Sequence, residues 1–204
     1  MAIKNDRQYR MIQLPDMQFR AAEDEGEYIV EGYATTYEDP YTLYEYEGVS
    51  YKETISRDAL AGADMSDVIF LYNHEGMVFA RQSNGTLTLE SDEKGLHVRA
   101  YLGSTEDSRR MYESIKAGLV TQMSWAFTIA DEDYDAEAHV RRIKSVRKVY
   151  DVSAVSIPAN PSTDISARSF WDGVIQEEEE QRRRDLERAE QIERIKNNLK
   201  GVSR

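Results

Sequence analysis

Three residues of this 204-residue chain could together do covalent chemistry. They are His74, closing the apolar run DVIFLYNHEG, Ser124, inside VTQMSWAFTIA, and Asp151, opening the run YDVSAVSIPANP. An imidazole takes the proton of a serine hydroxyl and makes the oxygen a nucleophile, while a carboxylate fixes the imidazole tautomer and steadies the imidazolium that forms. The chain has no cysteine, which removes thiolate nucleophiles, disulfides and thiolate zinc sites in one step. Covalent catalysis would therefore run through oxygen or lysine.

Each of the three has a plainer reading beside the chemical one. A serine in a strand is most often structural, its hydroxyl bonded locally or facing solvent. Here Met123 and Trp125 should point to the opposite face, so Ser124 presents its hydroxyl on one side of a strand otherwise built for burial. His74 directly precedes Glu75 and Gly76, where a loop on a rigid support can carry function or simply turn. Of the other two histidines, His97 alternates within GLHVRAYL as a sheet-surface residue, and His139 falls in a polar turn. Asp151 sits between Tyr150 and Val152, where an unpaired buried carboxylate is costly. Its partner is either an imidazole or one of Arg141, Arg142, Lys144, Arg147 and Lys148, and the two readings stand side by side.

Other motifs fail. Asp131, Asp133 and Asp135 have the opening spacing of an EF-hand loop, but Ala136 stands where glycine is needed and Arg142 where the bidentate glutamate belongs. His74-Glu75 does not extend to a second histidine, and no glycine-rich phosphate loop occurs. No cofactor or metal is expected.

The elements that must hold these residues are mostly strands. Tyr28 to Tyr37 is rich in β-branched and aromatic residues, and the earlier AAEDEGE reads as a turn between two strands. DVIFLYN, MVFARQ, GTLTLES and GLHVRAYL follow at short spacing, separated by HEG, SNG and DEKG, which is the pattern of an antiparallel meander. Val120 to Ala130 and Val140 to Ile157 supply two more long strands, ended by Pro158 and Pro161. Glu38 to Lys52, with Pro40, Gly48 and four tyrosines, reads as a long exposed loop, whose tyrosines are compatible with plain packing. Ser56 followed by RDALAG reads as a short capped helix. Ser104 to Asp107 opens a longer one, with Met111, Ile115 and Leu119 as its core-facing stripe and Gly118 near its end. The fold class that follows is α+β, mainly β, with a barrel or sandwich core and few helices.

A formal net charge of −12 disfavours a nucleic-acid binder, because phosphate neutralisation needs a basic surface. No run approaches the roughly 20 apolar residues of a membrane span, and the N-terminus lacks the apolar stretch of a secretory signal. A soluble, intracellular chain is the expectation. From Val174 onward there are 8 acidic and 8 basic residues, so the excess charge lies wholly in the preceding part. Ile192, Ile195, Leu199 and Val202 are spaced 3, 4, 3 along this charge-dense helix former. It is a solvated helix or a docking and oligomerising one. The chain thus divides into a body, residues 1–170, and a charged helical tail, residues 171–204.

The blocks EGYATTYED, ETISRDAL, DVIFLYNHEG, GLHVRAYL, IKAGLVTQMSWAF and YDVSAVSIPANPSTDISAR, taken in order, span about residues 17–168. In them the chain resembles the prohead proteases of tailed phages, the Hong Kong 97 type capsid maturation proteases, related in fold to herpesvirus assemblin. The resemblance implies an antiparallel, barrel-like, herpesvirus-protease-like core. It also implies a serine endopeptidase that trims scaffold or capsid precursor and its own chain within the assembling prohead in the host cytoplasm. Its partners would be those precursors, with self-association open and neither nucleic acid nor membrane involved. Carried across, the family histidine falls on His74, the family serine on Ser124, and the acid opening the xVSxVxxPANP block on Asp151, where relatives often carry the longer glutamate. Main-chain amides around Pro158 to Asn160 are the oxyanion-hole candidates by analogy. The rival implied by the same resemblance is an inactive capsid assembly or scaffold protein acting through its charged C-terminal helix.

Overall fold

The structure, a computed structural model, describes residues 7–12, 20–24, 27–156 and 165–202. Among the described residues it is mostly β, with two α-helices and two sheets, neither of which closes into a barrel by hydrogen bonding. The strands are β1 (Gln8–Ile12), β2 (Arg20–Asp24), β3 (Glu27–Thr36), β4 (Tyr41–Tyr46), β5 (Val49–Ile55), β6 (Ile69–Tyr72), β7 (Glu75–Arg81), β8 (Leu87–Ser91), β9 (Gly95–Tyr101), β10 (Gln122–Asp135) and β11 (Val140–Val155). The helices are α1 (Glu106–Lys116) and α2 (Ile165–Val202).

One sheet holds β2, β3, β9 and β8, and the other is built around the long antiparallel hairpin β10–β11. β9 shows how sequence makes the sandwich: Leu96, Val98 and Ala100 alternate inward and are fully buried, while His97 and Arg99 are half-buried on the other face. They meet Val30 and Ala34 of β3 and, from the opposing sheet, Trp125, Phe127, Val149 and Val152. Each buried Val, Leu or Phe among them contributes about 1.5–3 kcal/mol by leaving water. Gly95 is required where β9 starts, because a Cβ there would lie 1.9 Å from Thr35 O.

The strands do not form one meander. β6–β7 and β8–β9 are antiparallel hairpins as expected, but they belong to different sheets, and β5 and β6 both run parallel to β11. β5 pairs with Val140 to Ile143 and β6 with Asp151 to Ala154 of the same strand. Between them the chain stays beside β11, where Ala59 O accepts from Val146 N–H and Asp64 O from Val149 N–H. That explains why RDALAG is not a helix: its backbone serves β11, and successive i to i+3 turns replace the expected capped segment.

Two further expectations are corrected. Glu38 to Lys52 is no loop but mostly the β4–β5 hairpin, turned at Glu47 and Gly48 with φ of 49° and 81°. Its Tyr51 and Leu43 are buried with Trp171 and Ile175 of α2, so these aromatics pack the helix onto the body. α1 forms with Thr105 as its N-cap and buries Met111 and Ile115, but it ends at Lys116, and Leu119 stands 69% exposed beyond the left-handed Gly118. Past the docked turns, α2 is solvent-facing through Ile195, with Leu186, Ile192 and Ile195 exposed. No helix among the described residues is long and apolar enough to cross a membrane.

Candidate active site

The β6–β7 hairpin turns in two residues, Asn73 and His74, with Tyr72 paired to Glu75. Both have positive φ, 52° and 60°, as a two-residue turn of the primed type demands. Asparagine tolerates that conformation, whereas for histidine it costs about 1–3 kcal/mol unless the surroundings enforce it. They do so here. Asn73 N–H donates to Ala154 O at 3.0 Å, Ser156 N–H to Asn73 Oδ1 at 3.2 Å, and His74 N–H to Ser153 Oγ at 3.2 Å. The hairpin tip is thereby clamped to the end of β11.

On β10–β11, Ser124 lies opposite Ser153 and Ala126 opposite Asp151. Residues directly opposite share a face, so Ser124, Asp151 and Ser153 project together. Met123, Trp125, Val152 and Ala154 fill the core behind them. Parallel pairing of β6 with β11 carries the histidine tip across that face.

The three residues singled out in the sequence are brought into bonding reach. His74 Nδ1 lies 2.5 Å from Asp151 Oδ1, and His74 Nε2 lies 2.6 Å from Ser124 Oγ. With the Nδ1 proton held by the carboxylate, Nε2 is left as the acceptor that faces the hydroxyl. Ser124 and Asp151 are buried, at 2% and 3% exposure, and the ring of His74 is the part that meets solvent. Ser124 Oγ also lies 3.0 Å from Arg10 O, a second acceptor within reach of its single proton, and Tyr9 sets its ring edge-on to His74 at 4.9 Å.

Four of the five basic residues that competed for Asp151 bond elsewhere: Arg141 with Glu53 and Glu132, Arg142 with Glu38, Lys144 with Asp131 and Asp133, and Lys148 with Asp64. His97 lies against Tyr33 at 5.1 Å on the sheet surface, and His139 occupies the β10–β11 turn. The oxyanion candidates around Pro158 to Asn160 lie outside the described residues. Among the described residues no cluster of His, Cys, Asp and Glu could hold a metal ion.

Two parts of the surroundings went unnoticed in the sequence. Ser153 bonds both His74 and Asp151, at 3.1 Å from Nδ1 and 3.0 Å from Oδ1; its position two residues after Asp151 on a strand was the available signal. β1 was the other. Arg10 donates from Nε to Glu53 Oε1 at 2.7 Å, Arg141 Nη1 donates to Oε2 at 3.3 Å, and Tyr41 OH donates to Oε1 at 2.6 Å. Burial pushes the Glu53 carboxyl up, but the two guanidiniums outweigh it and leave it below the ordinary range. This buried cluster fixes the strand whose Arg10 carbonyl touches Ser124. An arginine in a short polar strand gives no sequence hint of such burial.

The chain is similar to known proteins. Residues 15–180 match the family model of the caudovirus prohead serine protease. A stretch of 88 residues is 31% identical to the prohead protease of Enterobacteria phage HK97, covering 43% of this chain and 39% of that protein. Among solved structures, the bacteriophage T4 capsid assembly protease superposes with a TM-score of 0.47 and 12% identity, over 74% of this chain and 98% of that one. Because the family match covers well over half of its length, the chain belongs to the caudovirus prohead serine protease family.

Proposed function

We propose that this chain is a serine endopeptidase of prohead maturation, cleaving scaffold or capsid precursor and its own chain by acyl transfer. The observation that carries the reading is the unbroken line from Asp151 Oδ1 through both ring nitrogens of His74 to Ser124 Oγ. Ser124 Oγ attacks the scissile carbonyl as Nε2 takes its proton, and Asp151 stabilises the imidazolium through Nδ1–H. The tetrahedral intermediate collapses when Nε2 returns the proton to the leaving amine, which leaves an acyl-Ser124. Water then enters, His74 deprotonates it, and the acid product leaves with Ser124 restored. The short reach of aspartate is compensated by where the tip sits, since the clamp to β11 brings the imidazole down to the carboxylate.

The finer attributes belong to the same proposal. They are action within the assembling prohead in the host cytoplasm, a barrel-like relation to herpesvirus assemblin, and a protease body of residues 1–170 followed by a charged tail. A second reading rests on the exposed, charge-rich stretch of α2 beyond its docked turns: a protein that keeps the fold without turnover and binds shell proteins through that helix.

A fluorophosphonate probe separates the two. Under the first reading the full chain is labelled at Ser124, Ser124→Ala or His74→Ala abolishes labelling, and turnover falls on the order of 10⁶-fold. An unlabelled Ser124, in isolated protein and in assembled proheads alike, removes the protease reading and leaves the binding one.

A further inference from the structure

Ser153 is fully buried, lies outside the relay from Asp151 to Ser124, and yet bonds two of its members. Its single hydroxyl oxygen accepts the main-chain N–H of His74 at 3.2 Å and donates to Asp151 Oδ1 at 3.0 Å, the same oxygen that holds Nδ1. Nδ1 itself is 3.1 Å away. One atom therefore ties the backbone of the histidine to the carboxylate that orients its ring. The backbone in question is the left-handed one at φ 60°, which needs external support to persist. A buried hydroxyl spent on that bond is not a packing choice, because alanine would fill a strand position of this kind without any hydrogen-bonding demand.

We infer that Ser153 is a positioning residue, which locks the tip of the β6–β7 hairpin so that His74 Nε2 stays aimed at Ser124 Oγ. This rests on the proposed protease reading for its consequence in turnover, but not for the geometry it controls. Without the hydroxyl, the His74 N–H loses its acceptor and Oδ1 loses one of two donors. The ring then samples rotamers in which Nε2 leaves Ser124. Misplacement on the scale of 1 Å costs about 10²-fold in rate, so a loss of about 10- to 100-fold is expected.

The test uses the full chain with Ser153→Ala. The first-order rate of fluorophosphonate labelling should fall by about 10- to 100-fold while the concentration for half-saturation is unchanged. In proton NMR the His74 Nδ1–H line is expected sharp and downfield in the parent and broadened by exchange in the variant. Ser153→Cys fills the same volume and bonds poorly, and it carries the same expectation should Ser153→Ala not fold. Ser153→Thr, which retains the oxygen, should recover most of the rate. A variant lacking the hydroxyl that labels within twofold of the parent and keeps a sharp Nδ1–H line overturns the inference. If the parent is not labelled at all, the protease reading fails on its own. The Nδ1–H line then still decides whether Ser153 holds the ring.

Discussion

Two histidines of this protein sit in hairpin turns with left-handed backbones, His74 at φ 60° and His139 at φ 52°. Each has a carboxylate and a hydroxyl at hand. At His74 the carboxylate meets Nδ1 and the hydroxyl meets Nε2, so a proton taken on one side creates a charge that is answered on the other. At His139 both partners converge on Nδ1: Glu178 at 3.4 Å and Tyr134 OH at 3.1 Å. Tyr134 also donates directly to Glu178 at 2.8 Å, bypassing the ring. Burial and then Glu178 push the Tyr134 phenol up, which opposes ionisation rather than promoting it. The same three kinds of group thus form a line suited to the proposed proton relay in one turn and a docking contact for α2 in the other. What separates them is which ring nitrogens are used.

That contrast is most severely tested at Asp151. Asp151→Asn keeps the shape but removes the charge that fixes the Nδ1–H tautomer, and labelling of Ser124 should fall by about 10⁴-fold with the fold intact; a drop below tenfold would mean the carboxylate is no more than a structural partner, as Glu178 is for His139. The second test is alkaline pH at the other turn. Tyr134 and Tyr51 both ionise above the ordinary value of 10.0 in the folded chain, Tyr51 through burial and then Glu178 as well. A raised folded value means the stabilising contribution is complete below that ordinary value and is lost as pH rises through the folded ones. Trp171, buried against Tyr51 at 5.3 Å, should report α2 loosening by a fluorescence change that begins only above about pH 10. Loosening near neutrality would contradict the assigned bonds. The smallest effect is expected from His139→Gln, because its contact with Glu178 is partly exposed and exposed polar pairs contribute about 0–1 kcal/mol. Thermal unfolding should shift little and Ser124 labelling not at all.

Much of the site was legible in the chain. Alternation placed Ser124 on the face opposite Met123 and Trp125, and apolar flanks marked Asp151 as a carboxylate in need of a partner. Which partner was not legible, since five basic residues lie within ten positions of it and only their three-dimensional pairing with Glu53, Glu38, Asp131 and Asp64 removes four of them from contention. The helix α1 was legible from its cap and stripe, but its end was not, because Leu119 continues the spacing after the backbone has already turned at Gly118. The tyrosine-rich stretch 38–52 was misread for a similar reason. Pro40 and Gly48 mark breaks without saying that the residues between them pair, and the burial of Tyr51 depends on Trp171, far along the chain.

The sequence by itself determined the chemical repertoire: a serine, a histidine and an acid without cysteine, on strands whose alternation sets which side chains share a face, in an acidic chain with a charge-balanced end. Only the tertiary structure decided that β6 runs parallel to the far end of β11 while β5 takes the near end, that Arg10 and Ser153 belong to the surroundings of Ser124, and that His74 rather than His139 has hydroxyl and carboxylate on opposite nitrogens. Local patterns are set by dihedral preference and the period of the strand. Pairing between segments 50 and 77 residues apart is set by which contacts survive together in one packed core.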